Sequence, residues 1–452
     1  MLIERWRAAG RPVAVVGLGK SGVAATLLLR ARGLPVYASD VGTSPALEAQ
    51  AAELRAAGAR VDLGGHDLGA IAGAAAVVVS PGVPPGVPPL AAAMKAGREI
   101  VAEVDLGFTE LRHTRCIGIT GTNGKTTTTS LVAHVLAACG FTAQAAGNIG
   151  HPLCDIARTD TAPEWLALEL SSFQLHDSPH LKPAIGLLTN LSANHLDRYE
   201  SLEQYYADKA LLFRNADAGS VWVTNGDQPD VRQMVRDVPG THLRFSLLER
   251  ADGWYDRADR RLMLGERPLM ARDALPLLGD HNVANALAAA LVADRIGCPI
   301  ERIAAGLSTF RAIPHRVEPV REVDGVLWIN DSKSTNVTST EVAVAALDRP
   351  FVLLLGGRHK GAPYTPLAPL LAGRCRAVVA FGEAEPLVAR DLAGVVPVER
   401  GGRDFDAVLA TARRLARPGD AVLLSPACSS YDMFANYEQR GERFRAAVEA
   451  FA

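Results

Sequence analysis

A lysine and a threonine at the close of a glycine-bearing loop are the side chains with which proteins grip a triphosphate. The loop Gly121-Thr122-Asn123-Gly124-Lys125-Thr126 lies between an apolar run, "RCIGIT", and a threonine-rich one, "TTTTSLVAHVLAACG", that opens on Thr126 and Thr127. It is tighter than the usual pattern, because Ile119 stands where the first glycine would be. It still keeps what the chemistry needs. Backbone N–H groups can wrap phosphate oxygens, Lys125 can set a cation against the β and γ oxygens, and Thr126 can offer a hydroxyl to Mg²⁺. A magnesium ion needs further hard oxygen ligands. Glu169 closes the apolar run "WLALE", a position from which a carboxylate can face a metal, and His195 and Asp197 follow the next apolar run. A histidine there is more often a surface or capping residue. Lys209, in "YYADKALLF", is equally a lysine snorkelling from apolar neighbours.

A second glycine loop precedes the first by a hundred residues. Gly17-Leu18-Gly19-Lys20-Ser21-Gly22 fits G-x-G-x-x-G between "PVAVV" and "VAATLLLRARG", and Asp40 ends the following apolar run. Such a loop presents backbone and a helix N-terminus to a diphosphate, with the carboxylate beside a ribose. A nicotinamide dinucleotide, a UDP-type ligand and plain turn glycines all satisfy that description.

These side chains need a scaffold of strands feeding loops that open helices. Short β-branched runs alternate with alanine- and leucine-rich stretches along nearly the whole chain, which predicts parallel sheets flanked by helices. Pro81 to Pro89 reads as a loop, and "RAIPHRVEPVREVDG" as a linker into a last unit with strands "VLWINDS", "PFVLLLGG", "AVVAFG" and "AVLLSPA". Its closing helix carries Phe444, Val448 and Phe451 on one face. The expectation is an α/β chain of three domains: 1–104, Rossmann-like; 105–312, a P-loop-type ATPase domain with a mostly parallel sheet; and 313–452, Rossmann-like again. The length of 452 residues accommodates them.

Composition narrows the class. With 48% hydrophobic and 21% charged residues and a net charge of −2, nothing favours nucleic acid or an anionic membrane as partner. The N-terminus lacks the apolar core of a signal peptide, and no run approaches a membrane span. The six cysteines are scattered without a C-x-x-C, which fits reduced thiols in a cytoplasmic protein.

Taken in order, GTNGKT, ELSSFQL, NHLDRY, YYADK, GDHNVANALAA, PHR, NDSKSTN and SPACSSYDMF resemble the motifs of the Mur ligase family. The match runs from residue 118 to 445, and the N-terminal unit with its Gly17–Gly22 loop extends it to the whole chain. That loop points to the branch that adds glutamate to UDP-N-acetylmuramoyl-L-alanine.

The resemblance implies an ATP-dependent amide ligase adding D-glutamate through an acyl phosphate, as a cytoplasmic monomer not embedded in a membrane. It assigns Gly17, Leu18, Gly19, Lys20, Ser21, Asp40, Ser80, Gly82 and Asn148 to the UDP-sugar. Gly121 to Thr127, Asn282, Asn285, Arg316, Asp331 and Lys333 go to ATP, with His315 opening the third domain. Thr126 and Glu169 match one Mg²⁺ site. His195 and Lys209 match a second, in which the family's lysine is carbamylated and so becomes an oxygen ligand. Lys333, Thr335, Lys360, Ser430, Tyr431 and Tyr437 match the amino-acid pocket. Lys125, His195, Lys209 and Lys333 are the expected catalytic groups, and closure of the third domain is expected to exclude water.

Two departures stand out. Arg358-His359 occupies a loop that often carries aspartate in the family, and Tyr431 and Tyr437 replace Leu and Phe. An L-glutamate-adding relative would need the same machinery. An NAD(P)-dependent oxidoreductase would leave GTNGKT, Glu169 and the "DSKSTN" cluster without a role, and a non-catalytic phosphate-binding module would be favoured by a Lys125→Ala variant that keeps full ligase activity.

Overall fold

The structure is a computed structural model, and it describes residues 2–159, 161–192, 199 and 201–451. His195 and Asp197 therefore lie outside the described residues. The chain forms two compact units, Met1–Leu275 with Val283–Thr309, and Pro276–Asn282 with Phe310–Ala452.

The first unit holds two sheets. Strands β1 (Val13–Val16), β2 (Val36–Asp40), β3 (Arg60–Leu63), β4 (Ala76–Val79) and β5 (Glu99–Ala102) pair in the order β3-β2-β1-β4-β5, all parallel. This is a Rossmann-like sheet whose order reverses at β1, so the crevice for a ligand opens beyond β1. The second sheet has nine strands: β6 (Arg115–Thr120), β7 (Ala143–Gly147), β8 (Trp165–Glu169), β9 (Ile185–Leu188), β10 (Val221–Asn225), β11 (Thr241–Ser246), β12 (Gly253–Asp256), β13 (Arg261–Leu264) and β14 (Arg267–Ala271). Their order is β14-β13-β12-β11-β10-β9-β6-β8-β7, parallel from β7 to β12, with an antiparallel β12–β13–β14 edge.

The helix Glu103–Glu110 joins these sheets. A Cβ at Gly107 would lie 2.8 Å from the Leu153 backbone, and Ala102 N donates to Asp177 O at 2.6 Å. One apolar core runs through both layers, including Leu28, Leu106, Leu153 and Leu168.

The second unit adds β15 (Glu318–Val323), β16 (Val326–Asn330), β17 (Phe351–Gly356), β18 (Cys375–Phe381), β19 (Val398–Gly402) and β20 (Ala421–Leu424) in the order β15-β16-β20-β17-β18-β19. Only the β15–β16 pair among them is antiparallel.

Three local expectations need correction. The Pro81–Pro89 loop ends at Val87, because Pro88 and Pro89 start the helix Pro88–Lys95; proline is preorganised for a first turn, where its missing N–H costs nothing. The supposed linker contains β15, which pairs with β16 as a hairpin. Phe451 lies past the end of the helix Tyr437–Glu449, yet its ring packs 4.9 Å from that of Trp328. No helix among the described residues is long and apolar enough to cross a membrane.

Candidate active site

Both glycine loops open helices that no side chain caps. Gly19 precedes the helix Lys20–Ala31 and Gly124 the helix Lys125–Ala138, and neither glycine position supplies a capping side chain. Ser44, Ser171 and Asn336, by contrast, cap the helices that follow them. An uncapped turn leaves N–H donors and a partial positive charge for an anion.

At the first loop the backbone comes in too close for any side chain at residue 22. A Cβ at Gly22 would sit 1.8 Å from the Gly17 carbonyl oxygen, and Ser80 Oγ donates to that same oxygen at 2.8 Å. Asp40 braces the turn, its two oxygens accepting from Leu18 N at 2.7 Å and Gly42 N at 2.8 Å. Leu18 is fully buried, with its N–H held by Asp40.

A cavity of about 750 Å³ opens here, lined by Gly17, Gly19, Lys20, Ser21, Asp40, Ser80 and Gly82 among others. Asn148 is not on its wall. It sits at the other loop, donating Nδ2 to Glu169 Oε1 at 2.9 Å. The cavity also shows what sequence reading missed. His66 lines it, held by Ser39 Oγ at 2.8 Å and with its pKa lowered by burial, and Val41 and Leu68 lie exposed at its rim. No spacing pointed to these three; they meet only because β3 lies beside β2.

The phosphate loop is shaped by its neighbours in the sheet. Gly121 has φ +144°, and a Cβ there would lie 1.9 Å from Thr189 Oγ1. Thr122 N donates to Asn190 O at 2.9 Å and Asn123 N to Asn190 Oδ1 at 2.8 Å, so β9 supplies the support for a loop carried by β6. Lys125 arches back, Nζ donating to Gly121 O at 3.1 Å and Thr122 O at 2.9 Å. Thr126 and Thr127 follow, half-buried, in the first helical turn.

Lys209 reaches the same loop from the helix Leu202–Ala210. It is 1% exposed, with Nζ 2.7 Å from Gly121 O and 4.5 Å from the Tyr205 ring centre. Burial, and then the charge of Lys125, push its pKa down to about 6. An amine in that state is neutral near pH 7 and nucleophilic. Glu169 ends β8 at 3% exposure; Oε1 is taken by Asn148, while Oε2 is buried without a hydrogen-bond partner. A buried, unsatisfied carboxylate oxygen beside a phosphate loop suits a hard cation. Asn285 meets the loop through Thr128 Oγ1 at 3.1 Å, and Asn282 lies three residues before it on one helix, donating to Leu278 O.

In the second unit the predicted residues lie on the 315–335 segment and on the loops bearing Lys360 and Ser430. Asp331 is buried, accepting from Val317 N at 3.1 Å and Ser425 Oγ at 2.7 Å, and burial raises its pKa to about 6. It holds a strained stretch: His315 and Val317 have φ +65° and +41°, with half-buried Arg316 between them. Lys333 is exposed, its Nζ 3.1 Å from Tyr437 Oη, and Thr335 follows half-buried. Ser430 is buried and Tyr431 is 63% exposed. The loop bearing Lys360 docks on the Ser430 loop, because Arg358 N donates to Ser429 O at 2.9 Å. The Arg358 side chain pairs with Glu383, and His359 Nδ1 lies 3.0 Å from Tyr364 Oη.

Arg440 went unnoticed in the sequence. Fully buried, it donates Nε to Ser332 Oγ at 2.9 Å, Nη2 to Ser332 O at 2.8 Å and Nη1 to Cys428 O at 3.2 Å, so it ties the "NDSKSTN" and "SPACSS" segments together. The available signal was an arginine four residues before Phe444, on the inward face of the last helix.

Comparison with known proteins decides the family. Three family models match consecutive parts of the chain: "Mur ligase MurD-like, N-terminal domain" over residues 11–102, "Mur ligase middle domain" over 119–293, and "Mur ligase, glutamate ligase domain" over 315–428. The chain belongs to the Mur ligase family. It is therefore an ATP-dependent amide ligase.

Among its relatives, the UDP-N-acetylmuramoylalanine--D-glutamate ligase of Myxococcus xanthus is 41% identical over 451 residues, covering 98% of each chain. The enzyme of that name from Geobacter metallireducens is 38% identical, again over 98% of both. Among solved structures, the Thermotoga maritima MurF ligase in complex with ADP aligns with TM-score 0.61 at 17% identity, over 92% of this chain and 96% of that one. The UDP-N-acetylmuramate-alanine ligase of the same organism gives 0.59 at 18% identity, over 97% and 99%. These two likenesses carry the Mur ligase fold, three α/β sheets in series, and no more than the fold.

Proposed function

We propose that the chain joins D-glutamate to UDP-N-acetylmuramoyl-L-alanine, with ATP converted to ADP and phosphate. The full-length likeness to relatives bearing that activity in their name supports the substrates. The observation that carries the chemistry is the meeting of Lys125, Lys209 and the unsatisfied Glu169 Oε2 at one uncapped helix N-terminus.

A carboxylate does not condense with an amine near neutral pH, since oxide is not a leaving group. Phosphoryl transfer from ATP gives an acyl phosphate, from which phosphate leaves after the amine has attacked. Two anions must therefore approach, at a cost of roughly 4 kcal/mol per charge pair at 4 Å and an effective dielectric near 20. Lys125 offsets that repulsion by leaving its carbonyl contacts for the phosphate oxygens, and the N–H groups at the start of the helix Lys125–Ala138 share the charge. Thr126 Oγ1 and Glu169 Oε2 fit as ligands of a Mg²⁺, which would neutralise further phosphate charge when bound. A second ion is part of the proposal, held by Lys209 as its carbamate together with His195. The neutral amine of Lys209 is the form that can add CO₂.

In the same reading the first cavity takes the UDP moiety, and Asn282, Asn285, Arg316 and Asp331 take the nucleoside of ATP. Lys333, Thr335, Lys360, Ser430, Tyr431 and Tyr437 take the glutamate. The domain boundaries at 104 and 312, a monomeric state and a cytoplasmic location belong to the proposal too.

The test is phosphate release from ATP with UDP-N-acetylmuramoyl-L-alanine present, comparing D-glutamate, L-glutamate and other amino acids. Selective stimulation by D-glutamate is expected. Stimulation by none would overturn the proposal, and preference for the L form would reassign the pocket.

A further inference from the structure

His66 stands at the cavity of the first glycine loop, and the fold fixes it on both sides. Strand β3 pairs with β2 in the register Ser39↔Asp62 and Asp40↔Leu63, so the turn after Leu63 runs beside the turn after Asp40. Gly64 N donates to Gly42 O at 3.3 Å and Gly65 N to Asp40 O at 3.2 Å. After His66, Asp67 N donates to the Tyr37 hydroxyl at 2.7 Å, and Asp67 Oδ1 accepts from Ala70 N at 2.9 Å. The ring itself is anchored, with Nδ1 2.8 Å from the Oγ of fully buried Ser39. Nε2 is the ring nitrogen left for a ligand. Burial lowers the pKa of His66 against the smaller, opposite pull of the Asp40 charge, so the ring is neutral at pH 7. A neutral imidazole carries one donor and one acceptor nitrogen. Val41 and Leu68 line the same cavity with exposed apolar side chains.

We infer that His66 selects the base of the nucleotide: Ser39 donates to Nδ1, and Nε2–H donates to the C4 carbonyl of a uracil ring lying against Val41 and Leu68. This rests on the reading of the cavity as the UDP site. Distance favours that carbonyl. Strand β3 is two places from β1 in the sheet, about 10 Å at ~4.8 Å per strand. A diphosphate at the Gly17–Gly22 loop therefore leaves His66 for the edge of the base farthest from the ribose. That edge carries the C4 oxygen, whereas the C2 oxygen flanks the glycosidic bond. The chemistry then selects. Cytosine has an amino group at C4, and its N–H donors would face another donor. Both would stay unpaired in a half-buried site, a mismatch of about tenfold in binding. The apolar contacts with Val41 and Leu68 bury either pyrimidine alike.

The experiment is titration calorimetry of the intact chain near pH 7 with UDP and with CDP. The unmutated chain is expected to bind UDP about tenfold more tightly than CDP. His66→Phe keeps a ring without an N–H; it should weaken UDP about tenfold, leave CDP no weaker and erase the preference. His66→Gln retains a donor and should restore part of it. Leu68→Ser should weaken both ligands equally. Retained ADP binding shows that each variant is folded. No UDP binding by the unmutated chain would overturn the cavity's assignment and the role of His66 together. UDP binding without preference over CDP, or a preference that survives in His66→Phe, would overturn the role of His66 and leave the cavity's assignment standing.

Discussion

At the scale of single residues, the two that distinguish this site from an ordinary phosphate loop are Lys209 and Glu169. Lys209 is buried against a carbonyl and an aromatic ring with its amine pushed towards the neutral form, and that burial costs stability. Protein equilibrated with ¹³C-bicarbonate is expected to give one carbamate resonance that Lys209→Met abolishes; an unchanged spectrum would exclude the modification. Glu169→Gln keeps the bond from Asn148 within reach but removes the charge at Oε2. Its kcat should fall by about 10²–10³-fold while the KM for the UDP-sugar changes little, measured across a magnesium titration. Glu169 and Lys209 could be named from motif order alone. Their burial and the unsatisfied oxygen could not, because these depend on β8 and the helix Leu202–Ala210 reaching β6 and its loop from distant parts of the chain.

At the scale of elements, close approach of backbone segments sets the first loop. Gly22→Ala forces a methyl into the Gly17 carbonyl, so the helix Lys20–Ala31 must retreat from β1. A loss of about 1–3 kcal/mol of stability is expected, with weaker UDP binding by calorimetry and ATP binding unchanged.

The helix Glu103–Glu110 carries a buried acid outside the catalytic machinery. Glu103 Oε1 accepts from Cys154 N at 2.6 Å, Oε2 has no partner, and burial raises the pKa from 4.5 to about 7. The sign follows from proton counts. Between pH 4.5 and 7 the folded chain keeps a proton that the unfolded chain releases, so this group's favourable contribution is complete below 4.5 and is lost as pH rises towards 7. Denaturant unfolding of Glu103→Gln should show a shallower decline over that interval, by on the order of 1–3 kcal/mol at pH 8. An identical pH profile would refute the assignment.

The whole molecule divides between Leu275 and Pro276, rejoins at Val283, and divides again after Thr309. Two compact units with separate cores are expected to melt as two calorimetric transitions. Saturating UDP should raise the transition belonging to Met1–Leu275 with Val283–Thr309, by about 3 kcal/mol of linkage at a hundredfold excess over Kd, and leave the other in place. A single transition moved as a whole would contradict independent units.

The sequence by itself determined the alternation of strands and helices, the two loops able to hold phosphate, and the order of motifs that marks a Mur ligase. Those features are local: a glycine pair, a lysine and a threonine at fixed spacing declare their chemistry wherever the chain goes. The tertiary structure alone decided that Asn148 stands at Glu169 and not on the wall of the cavity at Gly17–Gly22, and that His66 joins that wall. It also brought Arg440 to lock two signature segments together. Each of these is a contact between residues tens to more than a hundred positions apart, created by strand order and helix packing, and no periodicity or spacing along the chain encodes such a meeting.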